Sequence, residues 1–307
     1  MHHADPAIEC DEDASTEVVT MDMRDMWKKV ADRRRPSALA AHGRGRRRFM
    51  LDFWLHQGDA NEWLKTLPGD CADLIDTDCA YESLEKHRKV GTTTRLKQSD
   101  GSSNEWFEIF RNERFPEFFS EAYRVLKKDR HFYFFCDSET ARIATPIAER
   151  AGFKFWNDII WVKTKTEAAA DDLTEDDIKI GLGYHYRRSK EIILFFEKGK
   201  RRVADLSIAD VLPFPPVHRR YPTEKPVPLH KVLIEQSTQP GEIVVDPFMG
   251  SASAGAAAIE LGRSFWGNDL SDKSLAVARD RLSRYEQARC LTAPPFASGP
   301  AQTRLSL

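Results

Sequence analysis

The chain has 307 residues, 46 Lys and Arg against 48 Asp and Glu, a formal net charge of −2 and five cysteines. That length holds one large α/β domain with attachments, or at most two domains, and the near-neutral charge does not by itself announce a nucleic-acid partner. Cys10, Cys71, Cys79, Cys136 and Cys290 are scattered, which argues against a metal site and for a reducing cytoplasm. No apolar run reaches the length of a membrane span, and the polar, acidic start does not read as a signal peptide.

Residues 1–48 are expected to form a disordered arm, acidic to about residue 25 and then basic from Lys28 to Arg48. Two readings of the basic part stand. It neutralises DNA phosphates without regard to sequence, or it is a solvated leader paired with the acidic tail. The folded domain is expected over 49–290. Leu51, Phe53 and Leu55 alternate as in a strand, which ends at Gln57-Gly58-Asp59. A helix over 60–67 follows, then a strand over 73–76 that arrives at Thr77-Asp78-Cys79-Ala80-Tyr81. The polar, basic stretch of about 82–112 is too long for a turn and suits a substrate loop. Lys86, His87, Arg88, Arg95 and Lys97 are its candidate phosphate contacts, and a merely solvated loop is the alternative.

Apolar residues at helical spacing (Phe115, Phe118, Phe119, Ala122, Val125, Leu126) predict a helix over 113–126. The near-continuous apolar run 131–136 predicts a buried parallel strand. A helix over 138–151 and strands over 153–162 and 192–196 come next. Between those strands, in a second loop of about 163–190, the acidic segment 167–177 lacks apolar periodicity and is expected to be a flexible insertion. Beyond it, Gly181-Leu-Gly183-Tyr184-His185-Tyr186-Arg187 resembles a loop near the flipped base in DNA amino-methyltransferases, which implies Tyr184, His185 and Arg187 as DNA contacts, with purely structural glycines as the alternative.

The last third is the most informative. Arg219-Arg220-Tyr221-Pro222-Thr223-Glu224-Lys225-Pro226 introduces a helix over 227–237, with Pro226 suited to its first turn. A strand over 243–245 stops at Asp246, and Pro247, Phe248, Gly250 and Ser251 form a turn of small bulk. A helix over 254–261, a strand over 264–267 and the acid Asp269 follow, then a closing helix over 272–289 and a tail from 291 expected to be disordered. Strand, tight turn, helix, strand and acid are the way a parallel sheet builds a nucleoside pocket, although a purely structural unit has the same outline. There is no Gly-x-Gly-x-x-Gly and no phosphate-loop lysine. Asp246 at the strand end repels a pyrophosphate but attracts an ammonium, which suits S-adenosylmethionine better than NAD or ATP.

Asp246-Pro-Phe-Met-Gly250-Ser-Ala252-Ser-Ala-Gly255 resembles the DPF-x-G-S-G-T cofactor motif of the DNA amino-methyltransferases, which modify adenine N6 or cytosine N4. Asp78-Cys79-Ala80-Tyr81 resembles their Asp-Pro-Pro-Tyr motif, and residues 219–226 resemble their His-Pro-Thr-Gln-Lys-Pro loop. The motif order is that of the β class, and the resemblance covers about residues 50–288. It implies a doubly wound, mostly parallel, seven-stranded Rossmann-like sheet with helices on both faces. It further implies S-adenosylmethionine as cofactor, double-stranded DNA as partner, and the homodimers that family members often form. Asp59, Thr223, Lys225, Pro226, Asp246, Pro247, Phe248, Gly250, Ser251 and Asp269 then fall on the cofactor, and Asp78, Cys79, Ala80 and Tyr81 on catalysis. No metal is implied. The departures are Ala252 for glycine, Cys79 and Ala80 for prolines, and Tyr221 and Glu224 in the loop.

An exocyclic amine is a poor nucleophile because its lone pair is delocalised into the ring. A carboxylate (Asp78) and a neighbouring backbone carbonyl can draw on its two N–H groups, while Tyr81 stacks on the flipped base. Transfer to adenine N6 is the favoured expectation. Cytosine N4, a DNA-binding relative weakened by Ala252, Cys79 and Ala80, and RNA or protein-glutamine methylation are the alternatives. Nucleophilic catalysis by Cys79 is disfavoured, because cytosine-C5 enzymes carry a Pro-Cys dipeptide in another motif order. All of this requires the tips bearing Asp78 and Asp246 to converge.

Overall fold

The computed structural model describes residues 53–84, 108–167, 170–181, 186–217 and 224–292, all within one compact unit that spans Phe49–Leu307. Eight strands form one sheet: β1 (Phe53–Gln57), β2 (Ala72–Thr77), β3 (Leu126–Cys136), β4 (Lys154–Lys163), β5 (Lys190–Lys198), β6 (Val211–Phe214), β7 (Ile243–Asp246) and β8 (Ser264–Asp269). Their order is β1-β8-β7-β2-β3-β5-β4-β6. Every neighbouring pair is parallel except those of β5, which runs antiparallel to both β3 and β4. The Rossmann-like, mostly parallel expectation holds.

The strand count does not, because the described residues alone form eight strands and not seven. The extra one is β6, four residues that include Pro213 and carry no alternation. Proline lacks the N–H that an interior strand must donate. β6 is at the sheet edge, pairing only with β4 (Trp161 opposite Leu212), so the proline is tolerated.

Among the described residues six helices cover the sheet: α1 (Ala60–Thr66), α2 (Phe115–Val125), α3 (Ser138–Ala151), α4 (Val227–Ser237), α5 (Ser253–Glu260) and α6 (Asp272–Thr292). α1 packs on α2 and α2 on α3, while α4 packs on α5 and α5 on α6. β3 shows why both faces need cover. Side chains alternate across a strand, so Phe132 and Phe134 join Phe118 and Phe119 of α2, while Tyr133 and Phe135 join the Leu229, Leu233 and Val244 core. α2 starts later than expected, after a 3-10 turn (Asn112–Arg114), and Leu126 already belongs to β3. α3 ends on Gly152 at φ 111°, where an added Cβ would stand 2.9 Å from the Tyr123 ring.

The acidic segment carries local order where it is described. It forms 3-10 turns at Ala170–Asp172 and Glu175–Asp177, and Thr174 and Asp177 cap each other. Thr164 and Ile178 form a bridge that ties it to the end of β4. Among the described residues no helix is long and apolar enough to cross a membrane.

Candidate active site

Because β1, β8, β7, β2, β3 and β4 run the same way, their C-terminal ends share one edge of the sheet. β2 leads on to β3 on one side and β7 to β8 on the other, so the β2–β7 boundary is where such sheets open a crevice. The two strands pair directly (Leu74 opposite Val244, Ile75 opposite Val245), and the Thr77 hydroxyl donates to Asp246 Oδ1 at 2.6 Å. The two tips therefore meet. A cleft of ≈ 1120 Å³ lies over them, lined by the Asp78–Tyr81 loop and the Asp246–Ser251 turn as well as by Asp59, Glu191, Lys225 and Asp269. That volume suffices for a nucleoside ligand with a base beside it.

On the β7 side, Asp246 is buried, and its Oδ1 also accepts from the Phe248 N–H at 3.0 Å. Burial pushes its carboxyl well above the usual range, with the Asp76 charge adding to the effect. The Phe248 ring packs on Phe110 and Phe118, at centroid distances of 4.9 and 5.5 Å. Asp269 accepts from the Gly250 and Ser271 N–H groups, each at 2.9 Å, and burial raises its pKa too. Asn268 ties the loops together: its Nδ2 donates to the Gly58 and Pro247 carbonyls at 2.9 and 3.1 Å.

Ala252, where the motif has glycine, sits at φ 57°, ψ 48° and is fully buried. The turn thus keeps the left-handed geometry that glycine would give it, at a cost of roughly 1–2 kcal/mol for a residue with a Cβ. Four hydrogen bonds brace it. Ala252 N–H donates to the Met249 carbonyl at 2.7 Å, and Arg281 of α6 reaches the Ser251 carbonyl at 3.0 Å, Ser251 Oγ at 2.9 Å and Ser253 Oγ at 3.1 Å. Arg281 also pairs with Glu224, the residue that replaces the motif's glutamine.

On the β2 side, the loop lacks both prolines yet is pinned from outside. Phe110 N–H donates to the Ala80 carbonyl at 2.8 Å and Leu84 N–H to the Tyr81 carbonyl at 3.1 Å; Ser83 Oγ donates to Asp137 at 2.7 Å. Tyr81 is buried, and burial holds its phenol protonated. Cys79 is buried as well, and burial together with the Asp78 charge pushes its thiol well above the ordinary value, which removes it as a nucleophile. Asp78 pairs with Lys225, the loop lysine expected on the cofactor, and Lys225 also lies 3.3 Å from Glu191.

Asp59 lines the cleft, caps α1 through the Asn61 and Glu62 N–H groups, and pairs with Arg114 at 2.7 Å; that guanidinium holds its carboxyl below the usual range. Pro247, Gly250 and Ser251 line the cleft, Pro226 opens α4, and Arg187 stands exposed at the rim. Lys86, His87, Arg88, Arg95, Lys97, Tyr184, His185 and Thr223 lie outside the described residues, as do the arm 1–48 and the tail from 293. Sequence reasoning missed Glu191, Lys163, Arg281 and Arg114. Glu191 carried the faintest signal, a lone acid opening the apolar run of β5.

The family described as DNA methylase (N6_N4_Mtase) matches residues 72–280, and the chain belongs to it. YubD of Escherichia coli (strain K12) is 31% identical over 233 residues, covering 76% of this chain and 91% of that protein. The DNA adenine methyltransferase YhdJ, also of Escherichia coli (strain K12), is 27% identical over 250 residues, covering 73% and 81%. The structure of TTHA0409 of Thermus thermophilus, complexed with S-adenosyl-L-methionine, superposes with a TM-score of 0.52 at 18% identity, covering 76% of this chain and 94% of that one, which bears on the fold alone.

Proposed function

We propose that this chain transfers a methyl group from S-adenosylmethionine to the exocyclic amine of a base flipped out of double-stranded DNA, with adenine N6 as the acceptor. The observation that carries the reading is the bond from Thr77 to Asp246, which makes one crevice of two strand tips. The cofactor fits the β7 side by its chemistry: a buried carboxyl for an ammonium, and a second acid, Asp269, one strand away for ribose hydroxyls. Bound there, it supplies a methyl carbon made electrophilic by a sulfonium.

The protein's own part is positioning. Asp78 accepts one N–H of the amine through the oxygen that Lys225 does not hold. A backbone carbonyl beside Asp78 accepts the second N–H, and that of Ala80 already takes the Phe110 N–H. The nitrogen then presents its lone pair, and the proton it sheds after methylation passes to solvent. Tyr81 stacks on the base. The basic arm and the loops of about 82–112 and 163–190 contact the duplex. The aspartate that opens the tetrapeptide, and the resemblance to a DNA adenine methyltransferase, favour adenine over cytosine N4.

Labelled cofactor incubated with duplex DNA, RNA and protein, followed by nucleoside analysis, tests this. Label in N6-methyladenine is expected. N4-methylcytosine would move the acceptor, and label in RNA or protein alone would overturn the proposal. Cofactor and duplex binding without incorporation would favour the DNA-binding relative.

A further inference from the structure

Lys225 stands between two acids. Its Nζ contacts Asp78 Oδ2 and lies 3.3 Å from Glu191 Oε2, while Glu191 Oε1 holds Lys163 Nζ at 2.6 Å. The four form a row of alternating charge contributed by the β2 tip, the segment before α4, β5 and β4. Glu191 reaches this edge only because β5 runs antiparallel, which sets its first residues opposite the end of β4 (Trp161 opposite Glu191). Lys225 is 9% exposed and Glu191 19%, so neither is a solvated surface charge.

We propose that Lys225 and Glu191 are positioning residues for Asp78: Glu191, itself held by Lys163, fixes the Lys225 ammonium on one carboxylate oxygen, which keeps Asp78 ionised and turns its other oxygen to the target amine. This rests on the methyl-transfer reading and deepens it.

The chemistry demands such a device. A protonated Asp78 would offer an O–H to an amine whose own N–H groups must be accepted. Burial raises the Asp78 carboxyl above its ordinary value, Lys225 is the main group that opposes the rise, and Glu191 adds to it. The other groups facing it do little to reverse this. Tyr81 and Cys79 of its own loop are held neutral, Asp246 of β7 adds no positive charge, and His230 of α4, bonded to Asp76 at 2.8 Å, opposes the rise less than Lys225 does. Lys225 is the cation in contact. Burial opposes its charge, but Asp78 and Glu191 outweigh burial and hold its pKa above the ordinary value. A lysine paired with Asp78 alone could swing away, and Glu191 prevents that.

The test uses the full chain as wild type, Lys225→Met, Lys225→Arg and Glu191→Gln. Asp78 is followed by the carbon resonance of labelled aspartate carboxyls and assigned by its loss in Asp78→Asn. In Lys225→Met it should titrate about 1–3 pH units higher, and the acid limb of kcat should rise with it. Cofactor Kd should stay within about threefold, and Lys225→Arg should recover most of the shift. Glu191→Gln should lower kcat about 10–10²-fold without raising the acid limb, because it loosens Lys225 while removing a negative neighbour. An unchanged Asp78 titration with weakened cofactor binding in Lys225→Met would assign Lys225 to the cofactor and overturn the proposal. A wild type that methylates nothing defeats the functional reading, whereas the carboxyl titration still decides whether Lys225 governs Asp78.

Discussion

The Thr77 hydroxyl donates to Asp246 Oδ1 at 2.6 Å, joining residues 169 positions apart. One end of this bond is the residue before the tetrapeptide, and the other is the first residue of the Asp246–Ser251 turn. The permuted motif order needs only that β2 and β7 be neighbours, and the sheet makes them so.

Loss of the acceptor carboxylate should strike the chemical step. Asp78→Ala is expected to lower single-turnover methyl transfer about 10²–10³-fold, the range for removing one preorganised polar contact to a transition state. Cofactor Kd should change little. A variant that transfers methyl at wild-type rate would remove Asp78 from the reaction.

Asp246 couples the cleft to pH. Its folded pKa is raised by burial, whereas the unfolded carboxyl titrates at about 3.9. Between those values the folded chain keeps a proton that the unfolded chain has released, so stability falls as pH rises through the window. Asp246→Asn keeps an acceptor oxygen for Thr77 and Phe248 but cannot ionise. Its neutral-pH unfolding midpoint should rise and that pH slope vanish, while cofactor affinity drops. Binding of the cofactor ammonium by wild type should release protons, seen as a buffer-dependent calorimetric enthalpy. Identical enthalpies in buffers of different ionisation heat would refute the assignment.

Ala252 invites a substitution in each direction. Ala252→Gly should relieve the left-handed strain and raise stability by about 1 kcal/mol, less what the freer unfolded chain takes back. Ala252→Val, β-branched at positive φ in a buried turn, should lower it. Chemical denaturation of the ligand-free protein decides, and two shifts of the same sign would contradict the turn geometry.

Arg281 holds the Asp246–Ser251 turn to the loop before α4. Arg281→Ala leaves Glu224 buried without its partner and should cost about 3 kcal/mol with a raised KM for cofactor. Adding Glu224→Gln should recover part of the stability but not the KM, because the contacts to Ser251 and Ser253 stay lost. Denaturant midpoints and cofactor titration of both variants provide the check.

Residues adjacent in the chain were legible without coordinates. The Asp246–Ser251 turn, the Asp78–Tyr81 loop, Pro226 before α4 and most elements follow from local patterns, because propensity, turn chemistry and side-chain period act over a few residues. The exact span of α4 was read in advance, while β6 was not, its four residues being too short and proline-bearing to show a period. What only the tertiary structure decided is which distant groups share the cleft. Nothing local says that β5 runs backward, so nothing local could put Glu191 beside Lys225, pair Lys225 with Asp78, or bring Arg281 to the turn. Strand direction and helix placement are settled by burial of both sheet faces at once, a condition on the whole chain that no short stretch contains.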